Sequence, residues 1–284
     1  MYIQELFKSK RPVVSFEIFP PKQNSAFDSI ISTTKELSKL RPDFISITYG
    51  AGGSTRNNTL EVAEYIKKEH GIETLAHLTC IANSSEEIER ILDDLRRRDI
   101  KNILAMRGDL PEGATPPDRA IFAKHLIEQI QKRQDFFIAA AAYPEGHTQA
   151  KSLAEDIVHV GEKVAAGAKL LITQIFFDNA LLYRYQELLA KNNIRVHLSA
   201  GIMPIFNAPQ ILRIIKLCGA SVPESMSKIL SRYAENPKDL EAAGEEYACR
   251  QIADLAQNGV DGIHIYTMNK PHLAKNLVEK TGLR

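Results

Sequence analysis

The sequence lacks the features that mark secreted, membrane-spanning and nucleic-acid-binding proteins. Its three cysteines form no C-x-x-C pair and suggest neither a disulfide framework nor a zinc knuckle; they are Cys80, Cys218 and Cys249. No apolar run approaches the roughly 20 residues that a membrane span needs, and the N-terminus shows no secretion signal. The 36 basic and 35 acidic residues leave a net charge of +1, which argues against nucleic acid as the main partner. We therefore expect a cytoplasmic protein with no membrane and no nucleic-acid partner.

Several motifs that carry chemistry are also missing. There is no G-x-G-x-x-G after the first strand-like run and no G-x-x-x-x-G-K-[ST], which are the usual cofactor signals of open α/β sheets. Neither H-x-H nor H-E-x-x-H occurs, which disfavours a metal-dependent hydrolase. Lys101 and Lys169 stand at the starts of predicted strands, the wrong end for a Schiff-base lysine in a barrel. The carboxylates, arginine, amides and aromatics that remain suit an organic cofactor and general acid catalysis.

What the sequence does contain is an alternation of strand-like and helical runs. The strand-like runs lie at about 13–19, 44–50, 74–80, 102–108, 136–143, 170–177, 196–203 and 262–268. The helical patterns lie at about 25–40, 57–70, 85–98, 118–133, 151–166, 179–191, 208–217 and 271–281, with a further one at about 237–258. Eight strand–helix units in succession favour a closed (β/α)8 (TIM) barrel over an open doubly wound sheet. We expect one α/β domain over residues 1–284, with an extra helical insertion around 221–258.

Residues at the predicted helix ends support this pattern. The predicted N-caps are Ser84, which pairs with Glu87 in a capping box, and Asp178, Asn207 and Asn269. The glycines placed to end helices are Gly71, Gly167 and Gly282.

One face of strand after strand is polar. In the first strand Val14, Phe16 and Ile18 share the apolar face, and the polar face carries Glu17. The residues of the polar face are Ser15 and Glu17, Ser46 and Thr48, His77 and Thr79, Arg107 and Asp109, Gln174, His197 and Ser199, and His264 and Tyr266. Polar residues near the C-terminal ends of barrel strands indicate a ligand-holding mouth. The alternatives are hydrogen-bonded core polar residues, or a structural ion pair between Glu17 and Arg107.

Eight short motifs, one at each predicted strand end, resemble those of the methylenetetrahydrofolate reductases. They are S-F-E-I-F-P-P at 15–21, S-I-T-Y-G-A at 46–51, A-H-L-T-C at 76–80, A-M-R-G-D-L-P at 105–111, A-A-Y-P-E-G-H at 141–147, T-Q-I-F-F-D at 173–178, G-I-M-P at 201–204 and H-I-Y-T-M-N at 264–269. The resemblance implies a (β/α)8 barrel that binds FAD. It implies that NADH or NADPH passes a hydride to the flavin and leaves, after which methylenetetrahydrofolate binds and is reduced to methyltetrahydrofolate.

The resemblance also assigns the catalytic and folate-binding residues. Glu17 matches the general acid that protonates a folate nitrogen, and Asp109 matches the aspartate near flavin and pterin. Gln174 and Gln210 match folate contacts, although Gln210 also fits a capping partner for Asn207. The chain departs from the family in having Lys270 where an arginine is expected at the folate site, and Ile214 in place of a stacking aromatic.

For FAD the resemblance implies a larger set of contacts. Arg107 and Lys163 suit the pyrophosphate, Gly108 lets the backbone approach the flavin ring, and Asp156 suits a hydroxyl donor. His77 fits the flavin site and equally fits a hydrogen-bonded core histidine. The full set of matched positions is Thr48, Tyr49, Ala51, His77, Arg107, Gly108, Asp109, Tyr143, His147, Ala150, Asp156 and Lys163.

Two other functions remain open at this point. The first is a flavin-free barrel that transfers a one-carbon group from folate, and Arg107 with Lys163 argues against it. The second is a folate- or flavin-binding protein without chemistry, and the presence of Glu17 and Asp109 argues against that. The choice between NADH and NADPH, and association of the chain into a homo-oligomer, are also left open.

Overall fold

Eight parallel strands close into a barrel in the computed structural model, which describes residues 1–8, 12–21, 27–49, 53–109 and 122–284, without the side chains of 53–57. Each strand pairs with its neighbours in the sequence, and the first pairs with the last. The strands are β1 (Val13–Ile18), β2 (Phe44–Ile47), β3 (Glu73–Thr79), β4 (Asn102–Met106), β5 (Phe137–Ala142), β6 (Leu170–Thr173), β7 (His197–Ile202) and β8 (Gly262–Tyr266). The predicted (β/α)8 fold is therefore confirmed.

Helices surround the barrel and follow the strands in the predicted order. They are α1 (Phe27–Ser38), α2 (Gly53–His70), α3 (Ser85–Arg97), α4 (Ala123–Gln131), α5 (Leu153–Ala166), α6 (Asn179–Lys191), α7 (Ala208–Cys218), α8 (Glu224–Tyr233), α9 (Pro237–Gln257) and α10 (Pro271–Thr281). The helix α8, which buries Met226 and Leu230, lies within the helical insertion predicted around 221–258, although the sequence pattern gave it no bounds of its own. No helix in the described part of the chain is long and apolar enough to cross a membrane.

The barrel interior is apolar at one end and polar at the other. Val13 and Phe44 pack with Ile3 in one cluster at the N-terminal end of the strands. Ile3 belongs to a short 3-10 helix (Ile3–Lys8), which the sequence pattern did not reveal. The side chains of Val14, Phe16 and Ile18 pack in the larger cluster with the surrounding helices, as the alternation predicted.

His197 is one predicted lining residue that lies away from the mouth. It is the first residue of β7, and its ring stacks on Phe7 of the 3-10 helix with 4.7 Å between ring centroids. Because the 3-10 helix lies at the N-terminal end of the barrel, His197 contributes to closing that end.

Most of the predicted helix ends are confirmed, with one correction. The Ser84–Glu87 capping box forms, and Asp178 and Asn207 accept hydrogen bonds at their helix starts. Gly71, Gly167 and Gly282 all have positive φ. Asn269 is not the N-cap of α10: that position is Lys270, which makes no side-chain cap.

The side chain of Asn269 instead joins two segments at the barrel mouth. It accepts from the backbone N–H of Phe19 at 2.9 Å and donates to the carbonyl of Phe19 at 2.9 Å. Met268 and Asn269 both have left-handed φ, +52° and +55°. This strained turn fixes the chain after β8 against the chain that leaves β1, and so supports Glu17.

Candidate active site

Glu17 lies at the C-terminal end of β1 with its side chain inside the barrel mouth. It is 8% exposed, and its strand neighbours are Ser46 on β2 and Tyr266 on β8. Its Oε2 atom lies 3.5 Å from Nε2 of His77 and 3.5 Å from Nε2 of His264. A buried carboxyl group is thus placed between two imidazoles that come from different strands.

A serine orients each of these imidazoles. Ser15 Oγ lies 2.7 Å from Nδ1 of His264, and Ser46 Oγ lies 2.5 Å from Nε2 of His77. All four groups belong to β1, β2, β3 and β8, which are adjacent around the barrel. Ser15, His264 and Glu17 form a hydrogen-bonded chain, and the Ser46–His77 pair lies beside it.

Burial keeps His77 and Tyr266, beside Glu17, uncharged at neutral pH. It lowers the pKa of His77 to about 4, although the nearby Glu17 carboxylate acts in the opposite direction. Burial also raises the pKa of Tyr266 well above 10, and its hydroxyl donates to the carbonyl of Thr173 at 2.7 Å. Glu17 therefore faces a neutral His77 ring, so the two groups form no full ion pair.

The suggested ion pair between Glu17 and Arg107 is not formed. Arg107 donates from its guanidinium to Gln149 Oε1 and to the carbonyl of Gly108. Thr267 holds the backbone at Glu17, donating from Oγ1 to its carbonyl at 2.7 Å. The pairing of β8 with β1 brings His264 and Thr267 to Glu17, whereas His77 comes from β3.

A second group of predicted residues gathers where β4, β5 and α5 meet. The Tyr143 and His147 rings are 4.6 Å apart, edge to face, and Lys163 Nζ lies 5.7 Å from the centre of the Tyr143 ring. Lys163 also donates to the carbonyl of Ala141 at 3.0 Å. Burial raises the pKa of Tyr143 to about 12, so its phenol stays neutral.

Asp156 provides a test of whether this group fits a cofactor. It is 2% exposed, and its Oδ2 atom has no hydrogen-bond partner among the described residues. Burial raises the pKa of Asp156, while Lys163 and His147 oppose that rise. An unpaired buried acceptor is costly unless a donor reaches it. The residues therefore fit a cofactor that presents a hydroxyl group and carries negative charge for Arg107 and Lys163.

Gly108 shapes the same site through its backbone. Its φ is +81°, and a Cβ at this position would lie 2.8 Å from Cβ of Thr79. Both the conformation and the contact require glycine. The neighbouring Asp109 is exposed at the mouth.

The predicted folate contacts lie on the β6 and α7 side. Gln174 Oε1 accepts from the N–H of Ile175 at 2.9 Å, so its amide nitrogen is the end that can meet a ligand. Gln210 takes part in the α7 cap only through its backbone N–H, which donates to Asn207. Lys270 Nζ lies 4.4 Å from the centre of the Phe206 ring, beside the start of α7.

The remaining predicted flavin contacts are more dispersed. The carbonyl of Thr48 accepts from Thr59 Oγ1 at 3.0 Å, and Tyr49 OH lies 3.4 Å from Asn83 Oδ1. Ala150 lies in the loop after β5, where its N–H donates to the carbonyl of His147. Ala51 lies outside the described residues.

Sequence reasoning missed several residues that build this site. His264 and Ser15 were recognised only as lining residues, and Thr267 and Asn269 were not connected with Glu17. The available signal was the polar alternation of β8 together with the H-I-Y-T-M-N motif. Neither reveals a partner about 250 positions away in the chain.

The fold and the site together define a (β/α)8-barrel enzyme whose buried carboxyl group and polar residues lie at the C-terminal ends of its strands. Comparison with known proteins specifies the class further. The chain belongs to the methylenetetrahydrofolate reductase family, whose model matches residues 2–282. Membership makes it an oxidoreductase of folate one-carbon metabolism, as predicted.

Named relatives extend over nearly the whole chain. The chain is 34% identical over 271 residues to the 5,10-methylenetetrahydrofolate reductase of Pectobacterium carotovorum, covering 95% of this chain and 90% of that protein. For the Escherichia coli reductase the identity is 32%, with 95% and 91% covered. The chain is also 30% identical over 299 residues to methylenetetrahydrofolate reductase (NADH) 1 of Arabidopsis thaliana, covering 99% of this chain and 50% of that protein.

A solved structure supports the fold independently. It is a Clostridium thermocellum protein that binds two copies of 5-methyl-5,6,7,8-tetrahydrofolic acid, with a TM-score of 0.68 and 15% identity over 99% of both chains. At this identity the likeness shows a shared barrel architecture.

Proposed function

We propose that this protein is an FAD-dependent reductase that converts methylenetetrahydrofolate to methyltetrahydrofolate in two alternating half-reactions. The observation that carries the proposal is the Glu17 carboxyl group, buried at the mouth of a family barrel and held between His77 and His264. Bound FAD would accept a hydride from a reduced nicotinamide and deliver it to the folate. Two plant relatives are named as NADH enzymes, so NADH is the donor to test first.

The proposed role of Glu17 is to deliver a proton. Opening the methylene bridge of the substrate requires protonation of a folate nitrogen, and only then does the carbon become a good hydride acceptor. A carboxyl group inside the mouth, beside a neutral His77 and a neutral Tyr266, is well placed to hold that proton away from bulk water. Asp109, exposed at the end of β4, would support the positive charge that develops on the substrate.

The proposed cofactor site uses the residues around α5. Asp156 would accept from a hydroxyl group of FAD, which would satisfy its buried Oδ2 atom. Arg107 and Lys163 would neutralise the pyrophosphate, and the backbone at Gly108 would lie against the flavin ring. This set of groups favours a flavin enzyme over the flavin-free transferase, which needs no pyrophosphate site.

The proposed folate site faces β6, α7 and the start of α10. Gln174 would pair with the pterin through its amide, with Gln210 as a further contact. Lys270 would offer a single point charge to the substrate from its position over Phe206.

The absorption spectrum and the two half-reactions test the proposal. Purified protein should carry FAD or bind added FAD, with absorption near about 450 nm. NADH should bleach that absorption without folate, and methylenetetrahydrofolate should then restore it. Protein that binds no FAD would contradict the proposal and favour the transferase. Protein that binds FAD but transfers no hydride would favour a binding protein.

A further inference from the structure

Glu145 joins two segments that surround the mouth of the barrel. It lies in the loop between β5 and α5, residues 143–152. Its Oε1 and Oε2 atoms accept from the backbone N–H of Ser221 at 3.0 and 3.1 Å. Ser221 lies in the short connection between α7 and α8. One carboxylate thus holds an N–H that belongs to no helix or strand, through a charge-assisted hydrogen bond.

A second contact brings the same two segments together two residues earlier. Gly219 ends α7 in the left-handed conformation, with φ +71°, and a Cβ there would lie 2.7 Å from Cγ2 of Thr148. Thr148 belongs to the same loop as Glu145. Cys218 is the last residue of α7. Burial raises the pKa of its thiol, and the nearby Asp109 carboxylate raises that pKa further. The C-terminal end of α7 therefore lies at the rim of the site.

Helix α7 packs half-buried on the apolar cluster beneath it through Ile214, Ile215 and Cys218. Of its eleven residues only Ala208 and Ile211, both near its first turn, are buried. Leu212 and Leu217 are largely exposed. A helix that is fully buried only at its start and half-exposed beyond it is held in part by the contacts at its far end.

We infer that Glu145 is a positioning residue, which fixes α7 against the flavin-side loop and thereby sets the affinity for the folate substrate. The inference rests on the proposed function, because the loop carries the proposed flavin contacts Tyr143 and His147, and α7 carries Gln210 and Ile214 on the folate side. Glu145 itself would touch neither ligand. Through the contact between Glu145 and Ser221, the position of α7 on the folate side depends on the loop 143–152 on the flavin side.

Two variants and a matched control test the role of Glu145. Glu145→Ala removes both acceptors, whereas Glu145→Gln keeps one side-chain oxygen of the same reach. Glu224→Ala is the control, because it removes the same charge three residues beyond Ser221, where Glu224 pairs with Lys228. We expect Glu145→Ala to raise KM for methylenetetrahydrofolate about 3- to 10-fold, the range for one lost hydrogen bond. Its kcat and its rate of flavin reduction by NADH should be unchanged, Glu145→Gln should recover most of the KM, and Glu224→Ala should match the wild type.

Hydrogen exchange of the FAD-loaded protein separates this inference from the proposed function. Glu145→Ala should speed amide exchange in residues 208–223, and Glu224→Ala should not, whatever reaction the protein performs. Unchanged exchange in Glu145→Ala would overturn the inference. A second outcome would also overturn the inference. If the protein reduces folate and Glu145→Ala speeds amide exchange in residues 208–223 but leaves KM unchanged, then Glu145 positions α7 without affecting substrate affinity. Failure of the wild type to reduce folate would overturn the proposed function and, with it, the substrate assigned to Glu145.

Discussion

At the scale of single residues, the proposed chemistry depends on how Glu17 is surrounded. Its carboxyl group meets His77 and His264 rather than the guanidinium of Arg107. An arginine beside it would favour the ionised carboxylate, whereas the neutral His77 ring brings no full charge next to it. This environment fits the proton-donating role proposed for Glu17.

Glu17→Gln should separate the two half-reactions. The amide keeps the shape and hydrogen-bonding size of the side chain but delivers no proton to the folate. We expect flavin reduction by NADH to stay within about twofold of wild type, and reoxidation by methylenetetrahydrofolate to fall by roughly a hundredfold or more. Stopped-flow absorbance measures both rates. Equal losses in the two half-reactions would be inconsistent with a proton-donating role.

His77 should make the stability of the protein depend on pH. Its pKa is about 4 in the folded protein and 6.5 ordinarily, so between these values the unfolded chain binds more protons. Stability should therefore fall as the pH is lowered from 6.5 to 4, by up to about 3 kcal/mol from this residue. Urea unfolding of the ligand-free protein at several pH values measures the slope. In His77→Asn the slope over this range should be smaller, and an unchanged slope would refute the assignment.

At the scale of elements, the error in the predicted end of the sixth strand has a physical cause. The sixth strand-like run, 170–177, ends as a strand at Thr173, yet Ile175, Phe176 and Phe177 are all buried. Loops at the mouth carry apolar residues because α7, α8 and α9 cover them. Hydrophobicity therefore continues past the last ladder hydrogen bond, and a pattern based on hydrophobicity overestimates the strand.

The 3-10 helix at the N-terminus should contribute to the stability of the protein, although no hydrophobic periodicity in the sequence predicts it. Ile3 is fully buried in the apolar end of the barrel, and its N–H donates to Asn102 Oδ1 at 2.9 Å. Ile3→Ala should lower the free energy of unfolding by about 2–4 kcal/mol. Tyr2→Ala, at the more exposed neighbouring position, should change it by less than about 0.5 kcal/mol. Urea unfolding of both variants measures the difference, and similar losses would show that the apolar contact of Ile3 is unimportant.

At the scale of the whole molecule, the proposed cofactor would connect elements that the chain places far apart. Its proposed contacts lie at the ends of β2 to β5 and on α5. A ligand that binds only the folded barrel stabilises all of it, by about 2.7 kcal/mol at one hundred times its dissociation constant. Binding of FAD should therefore raise the melting temperature of the entire barrel in one transition.

Asp156→Asn should stabilise the ligand-free protein and reduce the further stabilisation that FAD provides. Burial raises the pKa of Asp156, so at neutral pH its charge destabilises the ligand-free fold and the neutral amide should melt higher. With FAD the variant should gain less than the wild type, because it offers an uncharged acceptor to the cofactor hydroxyl; a roughly tenfold weaker affinity is expected. Thermal melts at matched FAD concentrations measure both effects. A variant with normal FAD affinity would exclude Asp156 as a cofactor contact.

The sequence by itself determined the barrel, its eight strands and the face on which Glu17 lies, because strand alternation and helix periodicity are local properties. The motifs at the strand ends also indicated the methylenetetrahydrofolate reductase family. Only the tertiary structure decided which groups meet: Glu17 with His77 and His264, Asn269 with Phe19, Glu145 with Ser221. These contacts depend on the order of the strands around the barrel, on the closure of β8 against β1 and on the path of the loops after the strands. Closure joins residues about 250 positions apart, beyond the reach of any local pattern.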